Sequence, residues 1–81
     1  MSYKMRLQWF NKQTSEGEGK EFSAILDNSV YFLDKLGLSD ESEIYDGGYD
    51  VKVEWLQYIQ PYFQHQLNLQ RYDYQLAFRP I

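Results

Sequence analysis

The sequence predicts an α+β domain: a twisted, four-stranded antiparallel sheet with one short helix packed on one face. Four stretches alternate apolar and polar residues with a period of two, which is typical of half-buried strands. Between the first two of them, residues 30–36 place apolar side chains at helical spacing instead. Because a chain of 81 residues has material for one hydrophobic core, we expect a single domain over residues 1–81.

The first strand is predicted over residues 3–10, where apolar and polar side chains alternate. Residues 11–20 are polar and rich in glycine, without periodicity, and therefore predict a surface loop. We expect Phe22, Ile25 and Leu26 to attach the far end of this loop to the core.

The short helix is predicted from one apolar stripe, formed by Val30, Leu33 and Leu36. Asn28 or Ser29 can cap its beginning, and Gly37 follows its end, where a left-handed residue is favoured. Since two helical turns are marginal alone, we expect the apolar stripe to dock on the sheet.

The second strand is predicted over residues 49–55, directly after a Gly47-Gly48 turn signal. Its inward side chains would be Tyr49, Val51, Val53 and Trp55. Pro61 would then bend the chain into a hairpin of residues 62–69 and 72–78, which also alternate.

The charge distribution points to a protein partner and away from nucleic acid. The net charge is −4, and six carboxylates between residues 40 and 54 face one cation, Lys52. A nucleic-acid-binding surface would instead need cations to neutralise phosphates. Two interpretations stay open: a solvated acidic surface, or a surface that steers a basic protein partner. If the first two strands were neighbours, Lys4 and Arg6 would pair with Asp50 and Glu54.

The sequence carries no residue constellation for catalysis, and we predict no cofactor and no metal. It has no cysteine and one histidine, His65, whose inward phase favours a hydrogen-bonded core residue. No glycine pair is followed by the Lys-Ser/Thr of a phosphate loop, and so small a domain offers no obvious deep cleft for a catalytic carboxylate pair. We therefore predict neither an enzyme nor a small-molecule substrate. Without an apolar run, no membrane segment is predicted.

Four segments resemble the cloacin immunity family, in the family's order and with similar spacings. They are Trp9-Phe10-Asn11-Lys12-Gln13-Thr14, Leu36-Gly37, Gly47-Gly48-Tyr49-Asp50-Val51 with Glu54-Trp55, and Gln60-Pro61-Tyr62-Phe63-Gln64-His65-Gln66. The Asp-Val-x-x-Glu-Trp and Gln-Pro-Tyr-Phe-x-His-Gln patterns are specific. The resemblance covers nearly the whole chain and implies the same four-stranded sheet with a short helix.

The resemblance also implies a function: a bacteriocin immunity protein in the bacterial cytoplasm, which leaves the cell in complex with its toxin. It would bind the basic C-terminal ribonuclease domain of its cognate colicin, cloacin or pyocin-type toxin. The bound inhibitor would lie beside the catalytic centre and block cleavage of ribosomal RNA. The alternative from composition is a small acidic module that binds another basic toxin, of the contact-dependent type and with different chemistry.

The resemblance places partner contacts at Phe10 and Gln75, and it puts Gly48 where the family carries a specificity side chain. The carboxylates of the central stretch would face the basic partner, with tyrosines beside them as contact area. The predicted partner-binding set is Phe10, Tyr45, Asp46, Gly48, Tyr49, Asp50, Glu54 and Gln75.

Overall fold

The computed structural model describes residues 2–27, 30–39 and 44–81. The strands within them form one antiparallel sheet: β1 (Ser2–Asn11), β2 (Gly17–Phe22), β3 (Leu26–Asp27), β4 (Gly48–Asp50) and β5 (Tyr72–Pro80). The order along the sheet is β2-β1-β5-β4, and the two-residue β3 pairs with the start of β1. The chain also forms the helices α1 (Val30–Lys35) and α2 (Leu56–Ile59). The predicted fold class is confirmed, and α2 is an addition to it.

The hydrophobic core lies on one face of the sheet, which we call the covered face. The sheet contributes the buried side chains Tyr3, Met5, Leu7, Tyr74, Leu76 and Phe78. The segments above it contribute Leu26, Phe32, Leu36, Val51, Trp55, Ile59, Phe63 and Leu67. The alternation predicted for β1 and β5 is therefore confirmed, because every second side chain from Tyr3 to Trp9 and from Tyr72 to Phe78 enters or packs against this core.

The predicted helix is confirmed as α1, and its end is fixed by the glycine that follows it. Gly37 has a φ of +75°, in the left-handed region. Its N–H donates to the carbonyl oxygen of Asp34 at 3.0 Å, and the N–H of Leu38 donates to that of Leu33 at 2.9 Å. This paired closure satisfies carbonyls that the helix leaves free. The predicted caps at 28–29 lie outside the described residues.

The predicted second strand is wrong beyond Asp50. The 3₁₀ turn Val53–Trp55, α2 and the 3₁₀ turn Gln60–Tyr62 form one helical stretch instead. The core side chains of this region recur at every fourth position: Trp55 and Ile59 within the helical stretch, Val51 before it and Phe63 after it. Val53, predicted inward, is 70% exposed. Val51 and Trp55 fit both a repeat of two, as in a strand, and a repeat of four, as in a helix. The packing of these side chains on the sheet selects the helix. Pro61 is the second residue of the last 3₁₀ turn, which begins at Gln60, and a proline is tolerated in the first turn of a helix.

The predicted loop over residues 11–20 is also partly wrong, because its second half is the edge strand β2. Trp9 of β1 lies directly opposite Gly19. A Cβ atom at Gly19 would lie only 2.4 Å from the indole Cζ2 of Trp9. The glycine is therefore the residue that lets the indole cover the backbone of this strand.

Of the three residues that were predicted to attach this segment to the core, Phe22, Ile25 and Leu26, only Leu26 does so. Leu26 is 8% exposed, whereas Phe22 is 44% and Ile25 56% exposed. Buried Ser23 lies between the two strands that flank it. Its Oγ accepts a hydrogen bond from the N–H of Met5 at 2.9 Å, so the hydroxyl continues the pairing along β1.

The first arm of the predicted hairpin, residues 62–69, is not a strand. Side chains bind its backbone in place of a neighbouring strand. Gln60 donates from Nε2 to the carbonyl oxygen of His65 and accepts through Oε1 from the N–H of Leu67, both at 2.8 Å. The Glu21 carboxylate accepts from the N–H of His65 at 3.0 Å and from that of the preceding residue at 2.7 Å. These bonds supply the partners that an irregular, partly buried backbone requires.

We predict that Gly19→Ala destabilises the protein by about 1–3 kcal/mol, because the new methyl group would displace the Trp9 indole. Urea unfolding followed by tryptophan fluorescence measures this change. Gly17→Ala is the matched control: its Cβ would meet the Phe10 ring at 3.6 Å, an ordinary contact. Equal losses in the two variants would contradict a specific role for the Trp9–Gly19 contact.

Candidate functional site

The face of the sheet opposite the core carries the polar side chains of four strands, and we call it the open face. Strand register places on it Lys4, Arg6, Gln8, Phe10, Lys20, Phe22, Gly48, Asp50, Asp73, Gln75, Ala77 and Arg79. Ala77 is buried, and the other residues are half-buried or exposed. A flat sheet surface with accessible polar and aromatic groups can dock a protein without further rearrangement.

Three residues of the predicted partner-binding set meet at one place on this face. Asp50 of β4 and Gln75 of β5 are cross-strand partners, and the Gln75 Nε2 donates to Asp50 Oδ1. A Cβ atom at Gly48 would lie 2.8 Å from Gln75 Oε1. The missing side chain at residue 48 therefore leaves the space that the Gln75 amide occupies.

Phe10 lies at the end of β1, directly opposite Asp73 of β5. Together with Asp50 and Gln75 it lines an open groove of about 600 Å³. The other groove residues are Ser15, Val51, Leu69, Asp73 and Tyr74. The sequence analysis did not assign these five to the site, although Asp73 has the outward phase of its predicted strand. The others become neighbours only through the chain topology.

A salt bridge borders the groove. Lys12 Nζ and Asp73 Oδ1 are 3.0 Å apart, and both side chains are substantially exposed to solvent. Exposed pairs of this kind contribute little stability. Because Lys12 pairs with Asp73, Asp50 is the groove carboxylate that has no cation beside it among the described residues.

The remaining predicted site residues do not lie on this cluster. Tyr49 points to the covered face, where its ring meets Phe78 with centroids 6.1 Å apart. Tyr45 is half-buried against the core. Asp46 is exposed in the turn before β4, and Glu54 is exposed on the helical stretch. The predicted acidic strand face is therefore wrong, because its residues do not share a strand.

The predicted pairing of Lys4 and Arg6 with Asp50 and Glu54 is also wrong. Strand β5 separates β1 from β4, and Glu54 lies outside the sheet. The three acidic positions 40, 41 and 43 lie outside the described residues.

His65 connects the groove to the core through a hydrogen-bonded network. Its ring stacks on Trp9 with centroids 3.8 Å apart and an interplanar angle of 9°. Its Nε2 lies 2.8 Å from the hydroxyl of Tyr74, a groove residue. That hydroxyl accepts from the N–H of Asn68 at 2.8 Å, so it can donate its own proton to a neutral imidazole. The predicted hydrogen-bonded, structural role of His65 agrees with these contacts.

Burial sets the protonation states of this network. It lowers the pKa of His65, and the nearby Glu21 carboxylate opposes that shift without reversing it. Burial also raises the pKa of the Tyr74 hydroxyl. At neutral pH both groups are therefore uncharged, with the hydroxyl as donor and the imidazole as acceptor.

The described residues include no cluster of His, Cys, Asp and Glu that could hold a metal ion. Within the same part of the chain, no helix has the length and apolarity needed to cross a bilayer. An antiparallel sheet with one covered face, and an open face with polar and aromatic side chains beside a groove, is compatible with the class of small protein-binding domains.

The comparison with known families specifies this class. The family model described as cloacin immunity protein matches residues 2–80. The chain therefore belongs to the cloacin immunity protein family, and the resemblance found in the sequence is confirmed. Proteins of this family are bacteriocin immunity proteins, which act as inhibitors and not as enzymes, and membership implies binding to a cognate cloacin-type toxin.

We predict that the free energy of unfolding falls as the pH is lowered through 6.5, the ordinary pKa of histidine. The reason is that the unfolded chain binds the His65 proton more tightly than the native protein does, because burial lowers the native pKa. The loss stops below the native pKa, where both states are protonated. Urea unfolding at a series of pH values measures it.

His65→Gln provides the comparison, because glutamine can keep a hydrogen bond near Tyr74 but does not titrate. The difference in unfolding free energy between the two proteins should change with pH in this window alone. Parallel curves for the two proteins across the window would contradict the assignment to His65.

Proposed function

We propose that this protein protects its producer by binding, through the open face, the basic C-terminal ribonuclease domain of its cognate bacteriocin. The bound inhibitor obstructs access to ribosomal RNA and needs no chemistry of its own. It acts in the bacterial cytoplasm and leaves the cell with the toxin. Membership in the cloacin immunity family supports the toxin as partner.

One observation carries the choice of surface: Phe10, Asp50 and Gln75, which all lie on the open face, line the same groove. Phe10 offers an aromatic anchor, and aromatic residues are enriched among the contacts that dominate binding energy. Asp50 offers a carboxylate that gains charge complementarity when a cation of the partner approaches. Gly48 lies beside them, and the Gln75 amide occupies the space that a side chain at residue 48 would fill.

The function is tested with the C-terminal domain of the bacteriocin that is encoded beside this gene. Mixed with purified ribosomes, that domain should cleave ribosomal RNA, and an equimolar amount of this protein should stop the cleavage. Full cleavage in the presence of the protein would refute the proposal. Inhibition of a partner that cuts another substrate would favour the alternative, a module for a toxin of different chemistry.

We predict that Phe10→Ala weakens binding to this domain by about 2 kcal/mol, or roughly thirtyfold in Kd. The ring is half-buried at the groove, so its removal takes away contact area without opening the core. Isothermal titration calorimetry measures the change, and urea unfolding verifies that the variant is folded.

Ile25→Ala is the matched control, since it removes an exposed apolar side chain outside the open face. It should bind as the wild-type protein does. Equal affinities of Phe10→Ala and wild type would place the interface elsewhere.

A further inference from the structure

The open face is divided into two regions of opposite charge. Four cations lie on β2, β1 and β5, and we call them the basic half: Lys4, Arg6, Lys20 and Arg79. Two carboxylates lie at the groove, and we call them the acidic half: Asp50 and Asp73. The net charge of −4 conceals this division, because it sums over every surface of the molecule.

Register shows that the basic half is continuous across the sheet. Lys4 lies directly opposite Arg79, and Arg6 lies opposite buried Ala77 in the next row on the same face. Phe22 lies beside Arg6 on the outer side, and its ring is 4.7 Å from the Lys4 ammonium. The cations therefore surround a small, partly apolar platform.

The four cations of the basic half form no salt bridge with a carboxylate among the side chains that the structure describes. The salt bridge found there joins Lys12 to Asp73 instead. The Nε of Arg6 is buried and has no hydrogen-bond acceptor within that part of the chain. A buried donor without a partner is costly. An incoming carboxylate would bind the accessible part of the half-buried Arg6 side chain instead.

From this distribution we infer that the cognate toxin domain carries an acidic patch, which docks on Lys4, Arg6, Lys20 and Arg79. The inference rests on the proposed function and adds to it. A uniformly basic domain would be attracted by the acidic half and repelled by the basic half. A partner with carboxylates opposite the basic half satisfies both regions, and it fixes its own orientation on the sheet.

A basic surface with an exposed aromatic ring also has the chemistry of a single-stranded RNA site. The same face argues against RNA, because Asp50 and Asp73 would repel a phosphate backbone that crosses it. A protein surface can present both signs of charge within one patch, whereas a nucleic-acid backbone cannot.

The test is the double charge reversal Lys20→Glu with Arg79→Glu, two accessible positions of the basic half. Stopped-flow mixing with the toxin domain encoded beside the gene gives association rate constants at several ionic strengths. Against a partner with an acidic patch, the variant should associate roughly tenfold more slowly at low salt. The deficit should shrink as salt screens the charges.

Lys35→Glu with Lys52→Glu is the matched control. It changes the net charge by the same amount, and it lies outside the open face, at the end of α1 and before the helical stretch. This control should associate as fast as wild type or faster. Urea unfolding of both variants verifies that each is folded.

The inference is decided by whether Lys20→Glu/Arg79→Glu associates more slowly or faster than wild type. A uniformly basic partner would associate faster with Lys20→Glu/Arg79→Glu than with wild type, and this result would overturn the acidic patch while leaving the proposed function intact. Wild-type protein that fails to bind the domain would overturn both. Salt-sensitive binding of a single-stranded RNA oligonucleotide by wild type, abolished in the variant, would assign the basic half to RNA instead.

Discussion

The packing of Trp9 is the constraint on which the rest of the structure depends. Its indole lies against the backbone of Gly19 in the edge strand and stacks on the ring of His65. One side chain thus joins β2, β1 and the irregular segment that follows the helical stretch. The hydrogen bond from the Tyr74 hydroxyl to His65 extends the same cluster to β5. A domain of 81 residues without disulfides has little stability in reserve, so a contact shared by four elements has a large effect.

This cluster also explains how a segment without regular structure can help to form the groove. Leu69 lines the groove, yet the residues before it form no strand ladder. Gln60, Glu21 and Tyr74 bind their backbone groups from three different elements. The position of this segment therefore depends on these three side chains. Tyr74 is one of them, and its hydrogen bond to His65 depends on the protonation state of the imidazole. The shape of the open face is linked in this way to contacts on the covered face.

Sequence periodicity predicted three elements correctly, but it failed over residues 62–69, where the alternation accompanies no strand. Strands β1 and β5 and helix α1 have unambiguous repeats, and packing agreed with each of them. The stretch after Asp50 had two solutions, because Val51 and Trp55 fit a strand and a helix equally well. Strand β2 has no apolar alternation, since its role is to present the Gly19 backbone to Trp9. That requirement belongs to a pair of residues ten positions apart, and no local pattern reveals it.

The candidate site, like the fold, was predicted from the sequence only in part. The family resemblance identified Phe10, Gly48 and Gln75, and the structure brings these positions to one face. Glu54 was assigned through a predicted strand that ends at Asp50, and Tyr49, which does lie in β4, points to the covered face. The basic half could not be found from the sequence, because its four residues are spread over 75 positions and meet only through the strand order.

The local division of charge bears on partner choice more directly than the net charge does. Specificity is a difference between affinities, and repulsion of the wrong partner contributes to it as much as attraction of the right one. An acidic surface alone would attract any basic nuclease, so it would favour rapid capture without discrimination. On the proposed interface, the basic half would add a penalty for every basic domain that lacks carboxylates in the matching place. Gly48 would act through its neighbour, because the Gln75 amide occupies the space that a side chain at residue 48 would fill. Capture and discrimination would thereby be separated on one sheet: the acidic half and Phe10 would favour association, and the basic half would restrict which toxin can complete it.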